Sequence, residues 1–273
     1  MSKVSVSEAA DRLGVNAQRV HQRIADGSLL AERIGHQWVI DEADLARLDA
    51  RPAGRPLSSK SAWSLAIVAA ALGADGSLQS HAPDSAGHLT PAGAKAGPSI
   101  AAWDRSRARA RMRQLLQKGL ALPGRDDEAQ AADIAASLRS LLRNRAQRRS
   151  LRASSRDLAE LRSDRRINLS GISLPNSGVA SADIVEGYIA EGDIDDVAAD
   201  FLLSGVSHAA ANVVLHVFDP DAIPGGALKP DNWLLLAVDL AEHHSPREIA
   251  KAAQIVRAVA ASTYAGEKAS PSP

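Results

Sequence analysis

Four polar side chains between residues 18 and 23 have the types and the spacing that suit hydrogen bonding to the base edges of duplex DNA. They are Gln18, Arg19, Gln22 and Arg23. Arginine presents a donor fork that matches guanine, and glutamine pairs in a similar bidentate way with adenine. Val20 and Ile24 are four residues apart, so on a helix they share one face and leave the polar four on the opposite side. The spacing predicts a recognition helix that enters the major groove.

The neighbouring residues predict the elements that would position this helix. Ser5 and Glu8 fit a capping box at the start of a short first helix. Asn16 suits the N-cap of the second helix, and Gly27 is a suitable stop for it. Together these signals predict a helix, a turn and a helix within about twenty-two residues.

The pattern changes to strands after Gly27. Residues 29–34 and 37–40 predict two strands, joined by the two-residue turn Gly35-His36, and such a hairpin is a wing. A third short helix is predicted from residue 42 to 48. The further DNA contacts predicted for this module, at the helix start, on its flank and at the wing tip, are Asn16, His21, Arg33, His36 and Gln37.

Residues 5–48 resemble the DNA-binding domain of the excisionase and MerR-type regulators. The resemblance depends on the EAA-x-x-LGV run that begins at Glu8, on Gly27, and on the G-x-x-W-x-I wing that begins at Gly35. It implies a winged helix-turn-helix that binds double-stranded DNA, assigned to residues 1–48.

Residues 49–61 are a basic linker rich in proline, glycine and serine. Gly54-Arg55-Pro56, with Arg51 nearby, is similar to the centre of an AT-hook, in which an extended segment lies in the minor groove. The second arginine of that motif is missing, which favours a plain linker. Arg51 and Arg55 are kept as candidate DNA contacts.

Residues 62–165 are predicted to be an Arg-rich helical region, with a disordered insertion at 73–100 and helices at 62–72, 103–118 and 128–147. Five arginines fall within nine residues, namely Arg105, Arg107, Arg109, Arg111 and Arg113. They are predicted to be either phosphate contacts flanking the DNA site, or a face that is solvated or docked on the acidic end of the chain. The second interpretation is preferred.

Residues 166–262 are predicted to be an acidic α+β domain, and residues 263–273 a disordered tail. Residues 167–273 carry five basic and fourteen acidic residues, whereas residues 61–166 carry eighteen and ten. Strands are predicted at 167–172, 184–189, 212–218 and 234–240, and helices at 194–203 and 246–261. The run at 234–238 is apolar without alternation, which is typical of a strand covered on both faces. The predicted fold is therefore mainly α with a C-terminal α+β domain, behind the N-terminal winged helix-turn-helix.

Two acidic groups in this domain are candidates for a metal-binding or catalytic site. The first, Asp193 to Asp200, falls at the start and outer face of a helix, where carboxylates favour the macrodipole. The second is Asp239, Glu242, His243 and His244. It has the residue types of a nuclease-like site, but no basic catalytic residue completes the arrangement nearby, so the polar end of a strand is preferred. The chain has no cysteine, which excludes thiolate metal sites. No catalytic residue, metal ligand or cofactor is predicted, and the protein is not expected to be an enzyme.

Segments of the remaining chain resemble actinobacterial proteins grouped with the AbiEi-type antitoxins of type IV toxin-antitoxin systems. These segments are GRPLSSKSAW (54–63), DLAELRSDRRINLSGIS (157–173), VEGYI (185–189) and LLLAVDLAEHHSPR (234–247). The resemblance implies a DNA-binding domain joined to an antitoxin domain, repression of the protein's own operon, and a cognate toxin as a partner. A homodimer through the C-terminal domain is a second possible partnership.

The sequence thus favours a DNA-binding transcriptional regulator, a repressor or an autoregulating antitoxin. The alternatives are a DNA-targeted enzyme, either a nuclease or a nucleotidyltransferase, and an excisionase-like architectural factor. The N-terminus lacks a signal-peptide pattern, and the longest apolar run is too short to span a bilayer. A cytoplasmic protein without a membrane partner is expected.

Overall fold

The computed structural model mixes helices with two β-sheets. It describes residues 3–13, 15–25, 29, 31–35, 37–42, 44–45, 56–72, 100–120, 127–225 and 232–269. The predictions for Gly14, Gly27, His36, Arg51, Arg55 and the insertion at 73–99 lie outside these residues, as does most of the helix predicted at 42–48. Among the described helices, none combines the length and the apolar character needed to cross a membrane.

The described N-terminal residues include two short helices and a three-stranded antiparallel sheet. The elements are β1 (Lys3–Ser5), α1 (Val6–Leu13), α2 (Ala17–Ala25), β2 (Ala31–Ile34) and β3 (Gln37–Asp41), with the sheet order β1-β3-β2. Strand β1 was not predicted. The core between helices and sheet includes Leu13, Val20 and Ile40, with Ile24 packed against it. The predicted inward positions of Val20 and Ile24 are therefore confirmed.

Both predicted helix caps of this unit are present. The backbone N–H of Ser5 donates to Glu8 Oε2 at 2.9 Å, and the N–H of Glu8 donates to Ser5 Oγ at 3.2 Å. At the start of α2, the N–H of Arg19 donates to Asn16 Oδ1 at 2.8 Å. These bonds satisfy amides that have no partner within the helix, so the short helices begin where the sequence predicts.

Five helices share a second core. They are α3 (Ser59–Leu72), α4 (Ala102–Gly119), α5 (Asp127–Leu142), α8 (Trp233–Ala241) and α9 (Pro246–Ala269). Four apolar residues of α4 are buried in this core, namely Ala108, Met112, Leu115 and Leu116. Leu138 on α5 and Val256 on α9 belong to the same apolar cluster. The boundary predicted after residue 165 therefore separates regions that share one core.

A five-stranded sheet packs beside these helices. Its strands are β4 (Gln147–Arg152), β5 (Ile167–Leu169), β6 (Val185–Ala190), β7 (Ser204–Gly205) and β8 (Val213–Phe218), in the order β5-β6-β8-β4-β7. Only the β6–β8 pair is parallel among the described pairings. Two short helices, α6 (Leu158–Ser163) and α7 (Ile194–Asp200), contribute to the apolar core of the sheet. Strand β8 is buried along its whole length, which suits a central position.

The strand predicted at 234–240 is wrong, because these residues form helix α8. The side chain of Asn232 caps this helix by accepting from the N–H of Leu234 at 3.0 Å. Helices α3, α5 and α9 and the turn at Gly171–Ser173 all contact α8, so its apolar residues are buried on several sides. A short helix that is buried all round has no polar face, and its sequence cannot be distinguished by periodicity from a buried strand.

Several predicted boundaries also change. The helix predicted at 128–147 ends at Leu142, and β4 begins at Gln147. The strand predicted at 167–172 ends at Leu169, because Gly171 has a φ of +54° and leads into a 3₁₀ turn. The helix predicted at 194–203 ends at Asp200. Helix α3 begins at Ser59, inside the predicted linker, and α9 continues to Ala269, through most of the tail that was predicted to be disordered.

Candidate functional site

The first candidate site is the outer face of α2, formed by Gln18, Arg19, Gln22 and Arg23 and called here the α2 polar face. Gln18, Arg19 and Gln22 are exposed, and Arg23 is half-buried. Val20 on the opposite side of the helix is fully buried. The predicted outer position is therefore confirmed for Gln18, Arg19 and Gln22, and the predicted inner position for Val20, whereas Arg23 is less exposed than predicted.

The polar side chains at the start of α2 share one surface depression, which is lined by Val15, Asn16, Gln18, Arg19 and Gln22. Arg19 Nη1 donates to Gln22 Oε1 at 2.7 Å, so these two side chains lie next to each other. Asn16 is exposed, but its side-chain oxygen already caps the helix. The depression thus presents donors and acceptors on a rigid helix rather than on a loop.

Two carboxylates of this unit pair with cations other than Arg19. Glu32 pairs with Lys3, and Glu42 pairs with Arg12. Among the described residues, the side chain of Arg19 has no carboxylate partner and bonds only to the neutral Gln22. The positive charge of Arg19 is therefore not neutralised within the described part of this unit.

Only some of the other predicted DNA contacts lie among the described residues. His21, Arg33 and Gln37 are exposed, and the guanidinium carbon of Arg33 lies 5.9 Å from the centre of the Trp38 ring. His36 at the hairpin turn, Arg51 and Arg55 are outside the described residues. The structure thus brings Asn16, Gln18, Arg19 and Gln22 together at the start of α2.

The second candidate site is a group of polar side chains buried where α5, the five-stranded sheet and α8 meet. We call it the Arg145 network, and its members are Arg145, Ser170, Glu186, Tyr188, His216, Asp239, Glu242 and His243. Glu186 and Asp239 are 0% exposed, and Arg145 is 2% exposed. The side chains of Glu242 and His243 are 16% and 10% exposed, so the network reaches the surface at one edge.

Arg145 lies at the centre of the network, in the turn between α5 and β4. Its Nη2 donates to Asp239 Oδ1 at 2.6 Å, and its Nη1 donates to Glu242 Oε1 at 2.6 Å. Its Nε donates to the hydroxyl of Tyr188 at 2.7 Å. Because all three guanidinium nitrogens have acceptors, the cost of burying the charge is offset by charge-assisted bonds.

Glu186 holds the other half of the network. Its Oε1 lies 3.1 Å from His216 Nε2, and its Oε2 lies 2.9 Å from His243 Nε2. Oε2 also accepts from the N–H of Ile172 at 2.9 Å. A Cβ at Gly171 would lie 1.9 Å from Oε2, so only glycine fits at this position beside the carboxylate.

Asp239 lies beside Arg145 and extends the network to α8. Its Oδ2 accepts a hydrogen bond from the hydroxyl of Ser170, and its Oδ1 accepts from the hydroxyl of Tyr188 at 2.8 Å. The network therefore connects β6, β8 and the turn after β5 to α8, through residues that are distant in sequence.

The buried charges shift the pKa values of the acids in the network. Burial acts to raise the pKa of Glu242, but the charge and hydrogen bonds of Arg145 outweigh it and lower the pKa to about 2. Burial opposes ionisation of Glu186 as well, and the contacts with His243 and His216 hold its pKa well below the usual range. The phenol of Tyr188 has a raised pKa, first because it is buried. Both carboxylates are therefore ionised at neutral pH.

Three members of the network have metal-ligand character. The donor atoms of His216, Asp239 and Glu242 all lie within 4.8 Å of one another. However, Arg145 Nη2 lies 2.6 Å from Asp239 Oδ1, 3.0 Å from Glu242 Oε2 and 3.5 Å from His216 Nδ1. The guanidinium therefore takes the place that a cation would need, and the arrangement fits a structural role better than a metal centre.

The network corrects the interpretation of the group at 239–244. Asp239 and Glu242 lie on and just after helix α8, not at the end of a strand. The basic residue that was missing nearby in sequence is Arg145, 94 residues before Asp239. Signals for the rest were present, because His216 is the one polar residue in the strand VVLHVF and Glu186 lies in the buried strand VEGYIA.

The arginines of the middle region divide into two groups. Arg139 Nη1 donates to the carbonyl of Ala241 at 2.9 Å, and Arg148 is largely buried beside His208 and Glu242. These two are docked on the acidic part of the chain. In contrast, Arg105, Arg107, Arg109 and Arg113 on α4 are exposed, and Arg111 is half-buried.

The chain was compared with protein-family models, with curated proteins and with solved structures, and none of the three comparisons finds a match. The function must therefore be argued from the two sites themselves. They differ in their accessibility to a partner. The α2 polar face is open to solvent, whereas the side chains of the Arg145 network bond mainly to one another.

Proposed function

We propose that the protein is a DNA-binding transcriptional regulator, in which residues 3–45 act as a winged helix-turn-helix and α2 is the recognition helix. The observation that carries the proposal is the exposed set Gln18, Arg19 and Gln22, directly opposite the fully buried Val20. Arginine and glutamine on an exposed helix that is anchored by a second helix are the side chains that read base edges in the major groove.

The hairpin β2–β3 supports the same proposal. It follows α2 in the chain, pairs with β1 through β3, and carries the exposed Arg33 and Gln37. In a winged module such side chains contact the backbone or the minor groove, which fixes the register of the recognition helix. The resemblance to the excisionase and MerR-type regulators has the same implication.

We propose a repressor that acts on its own operon. The resemblance of the C-terminal segments to AbiEi-type antitoxins suggests this target, and it suggests a cognate toxin or a second copy of the chain as the partner of the remaining residues. Six members of the Arg145 network, Ser170, Glu186, Tyr188, Asp239, Glu242 and His243, lie in the segments that carry this resemblance. The three segments that contain these residues therefore meet at the Arg145 network.

A DNA-targeted enzyme is the less favoured alternative. Asp239 is the carboxylate that a nuclease-like site would need most, and it is 0% exposed with both oxygens bonded to Arg145, Tyr188 and Ser170. Three of the roughly four lone-pair sites of this carboxylate are thus occupied, and the carboxylate is not open to solvent. An architectural factor would explain the N-terminal unit but not the apolar cores of the helices and the five-stranded sheet.

The proposal is tested by measuring the affinity of the full chain for DNA from the upstream region of its own gene, beside a scrambled duplex of equal length. Arg19→Ala combined with Gln22→Ala should lower the affinity for the specific duplex at least tenfold, because each bidentate base contact contributes about 1–3 kcal/mol. The ratio of specific to scrambled affinity should fall with it.

A matched double variant serves as the control. Arg156→Ala combined with Gln117→Ala removes the same two residue types from exposed positions on other elements, and it should leave the ratio unchanged. If the α2 variant discriminates between the two duplexes as well as the wild type does, α2 is not the recognition helix.

A further inference from the structure

A groove between α3, α4 and α9 is separate from both candidate sites. Its volume is about 650 Å³, and its apolar lining includes Val68, Leu72, Met112, Leu116 and Tyr264. Cavities of roughly 300–1,000 Å³ with a mostly apolar lining are the usual size of small-molecule sites. The groove is therefore large enough for a ligand with a long chain or a fused ring.

Three arginines border this groove. Arg105, Arg109 and Arg113 are spaced four residues apart along α4, so they lie on one side of the helix and repel one another. Within the described part of the chain, Arg109 and Arg113 have no ion pair and no hydrogen bond, and Arg105 donates only to the carbonyl of Ile100 at 3.3 Å. The groove thus combines an apolar floor with positive charge that is not neutralised.

The other arginines of α4 are arranged differently. Arg107 does not line the groove, and its guanidinium carbon lies 4.9 Å from the centre of the exposed Trp103 ring. Arg107 therefore provides a natural comparison, because it has the same charge on the same helix and an aromatic partner instead of the groove.

We propose that the groove binds a small amphipathic anion, whose apolar part covers the floor and whose carboxylate or phosphate is held by Arg109 and Arg113. Charge complementarity is the reason for choosing this ligand class. A wholly apolar ligand would not need three cations at the rim, and the phosphate backbone of a nucleic acid would not need an apolar floor. A charge-assisted bond at such a rim is stronger than a neutral one.

Isothermal titration calorimetry of the full chain tests the proposal with three probes that share a ten-carbon chain. They are decanoate, monodecyl phosphate and decan-1-ol. Both anions should bind, and decan-1-ol should bind at least tenfold more weakly, since it lacks the charge-assisted bonds. Tighter binding of decanoate would assign the head group as a carboxylate, and tighter binding of the phosphate would assign it as a phosphate ester.

Variants then locate the site. Arg109→Gln combined with Arg113→Gln should weaken the binding of the preferred anion at least tenfold and leave decan-1-ol unchanged, whereas Arg107→Gln should change neither. Ala71→Trp, which adds bulk at the groove wall, should weaken all three probes. Circular dichroism verifies that each variant keeps the helix content of the wild type.

Three results would overturn the proposal. The first is that neither anion binds the wild-type chain. The second is that anions bind only after residues 73–99 are replaced by a Gly/Ser linker, which would mean that the chain itself covers the groove. The third is that the Arg109 and Arg113 variant binds the anions normally but loses affinity and salt dependence for DNA, which would assign these arginines to phosphate-backbone contacts.

Discussion

The α2 polar face and the Arg145 network contain similar kinds of side chains and use them in opposite ways. Arg19 is exposed and bonds to one neutral side chain of its own helix, Gln22. Arg145 is 2% exposed and donates from all three nitrogens to Asp239, Glu242 and Tyr188, among other acceptors. The hydrogen-bonding capacity of the first arginine is still available, and that of the second is used within the fold.

This difference indicates where a partner can bind. A polar side chain that is already desolvated and paired would have to break those bonds to meet a ligand, and leaving a buried charge unpaired is expensive. An exposed side chain on a rigid helix loses only its hydration and some rotamer freedom. The presence of ionisable residues alone therefore does not identify the functional site, and their unused bonding capacity is the better guide.

The largest effect should follow from removing the centre of the network. Arg145→Met keeps a long apolar side chain but leaves Asp239 and Glu242 without their buried cation. Breaking a buried pair in this way costs about 3–5 kcal/mol of the free energy of unfolding. Urea denaturation followed by the fluorescence of the buried Trp63 and Trp233 measures it.

Arg156→Met is the control for Arg145→Met. Because Arg156 is exposed, its replacement should change the free energy of unfolding by no more than about 0.5 kcal/mol. Equal stabilities of the two variants would show that the network is not a major contribution to the fold. The contrast between a buried network that stabilises the fold and an exposed polar face that does not would then be wrong.

The second effect is a dependence of stability on pH. Glu242 has a pKa near 4.5 when unfolded and about 2 in the fold, so folding favours its ionised form. Its stabilising contribution is complete above pH 4.5 and is lost as the pH falls toward 2, by on the order of 3 kcal/mol in total. Glu186 shifts in the same direction and should add to the loss.

Unfolding free energies of the wild type and of Glu242→Gln at pH 5, 4 and 3 isolate this contribution. The variant should be less stable at pH 5 and should lose less stability on acidification, so the two curves should converge. Parallel curves would mean that the pKa of Glu242 is not lowered by the fold.

The sequence predicted well those features whose signals lie within a few residues. The capping bonds of Ser5 and Glu8, the cap at Asn16 and the inward positions of Val20 and Ile24 all follow from spacings of three or four residues. Such interactions are fixed by helix geometry and need no knowledge of the tertiary fold. For this reason the α2 polar face was found from the sequence.

The Arg145 network was not found, for the opposite reason. Arg145 and Asp239 are 94 residues apart, and no local pattern pairs them. Helix α8 is covered by several neighbouring elements, so its residues are almost all apolar and show no helical period. This pattern predicted a strand, and the polar residues that follow it were therefore assigned to a strand end. His216, a polar residue in the middle of an apolar strand, was the available signal of a buried polar partner.

The smallest effect on stability is predicted for the α2 polar face, and it sharpens the comparison most. Arg19→Ala combined with Gln22→Ala removes one exposed hydrogen bond and should change the free energy of unfolding by no more than about 0.5 kcal/mol. Thermal denaturation of the variant checks this, with Asn16→Ala as the matched positive control, because loss of an N-cap costs about 1 kcal/mol. Should the double variant unfold as readily as the cap variant, its weaker DNA binding would reflect a damaged helix and could not be assigned to lost base contacts.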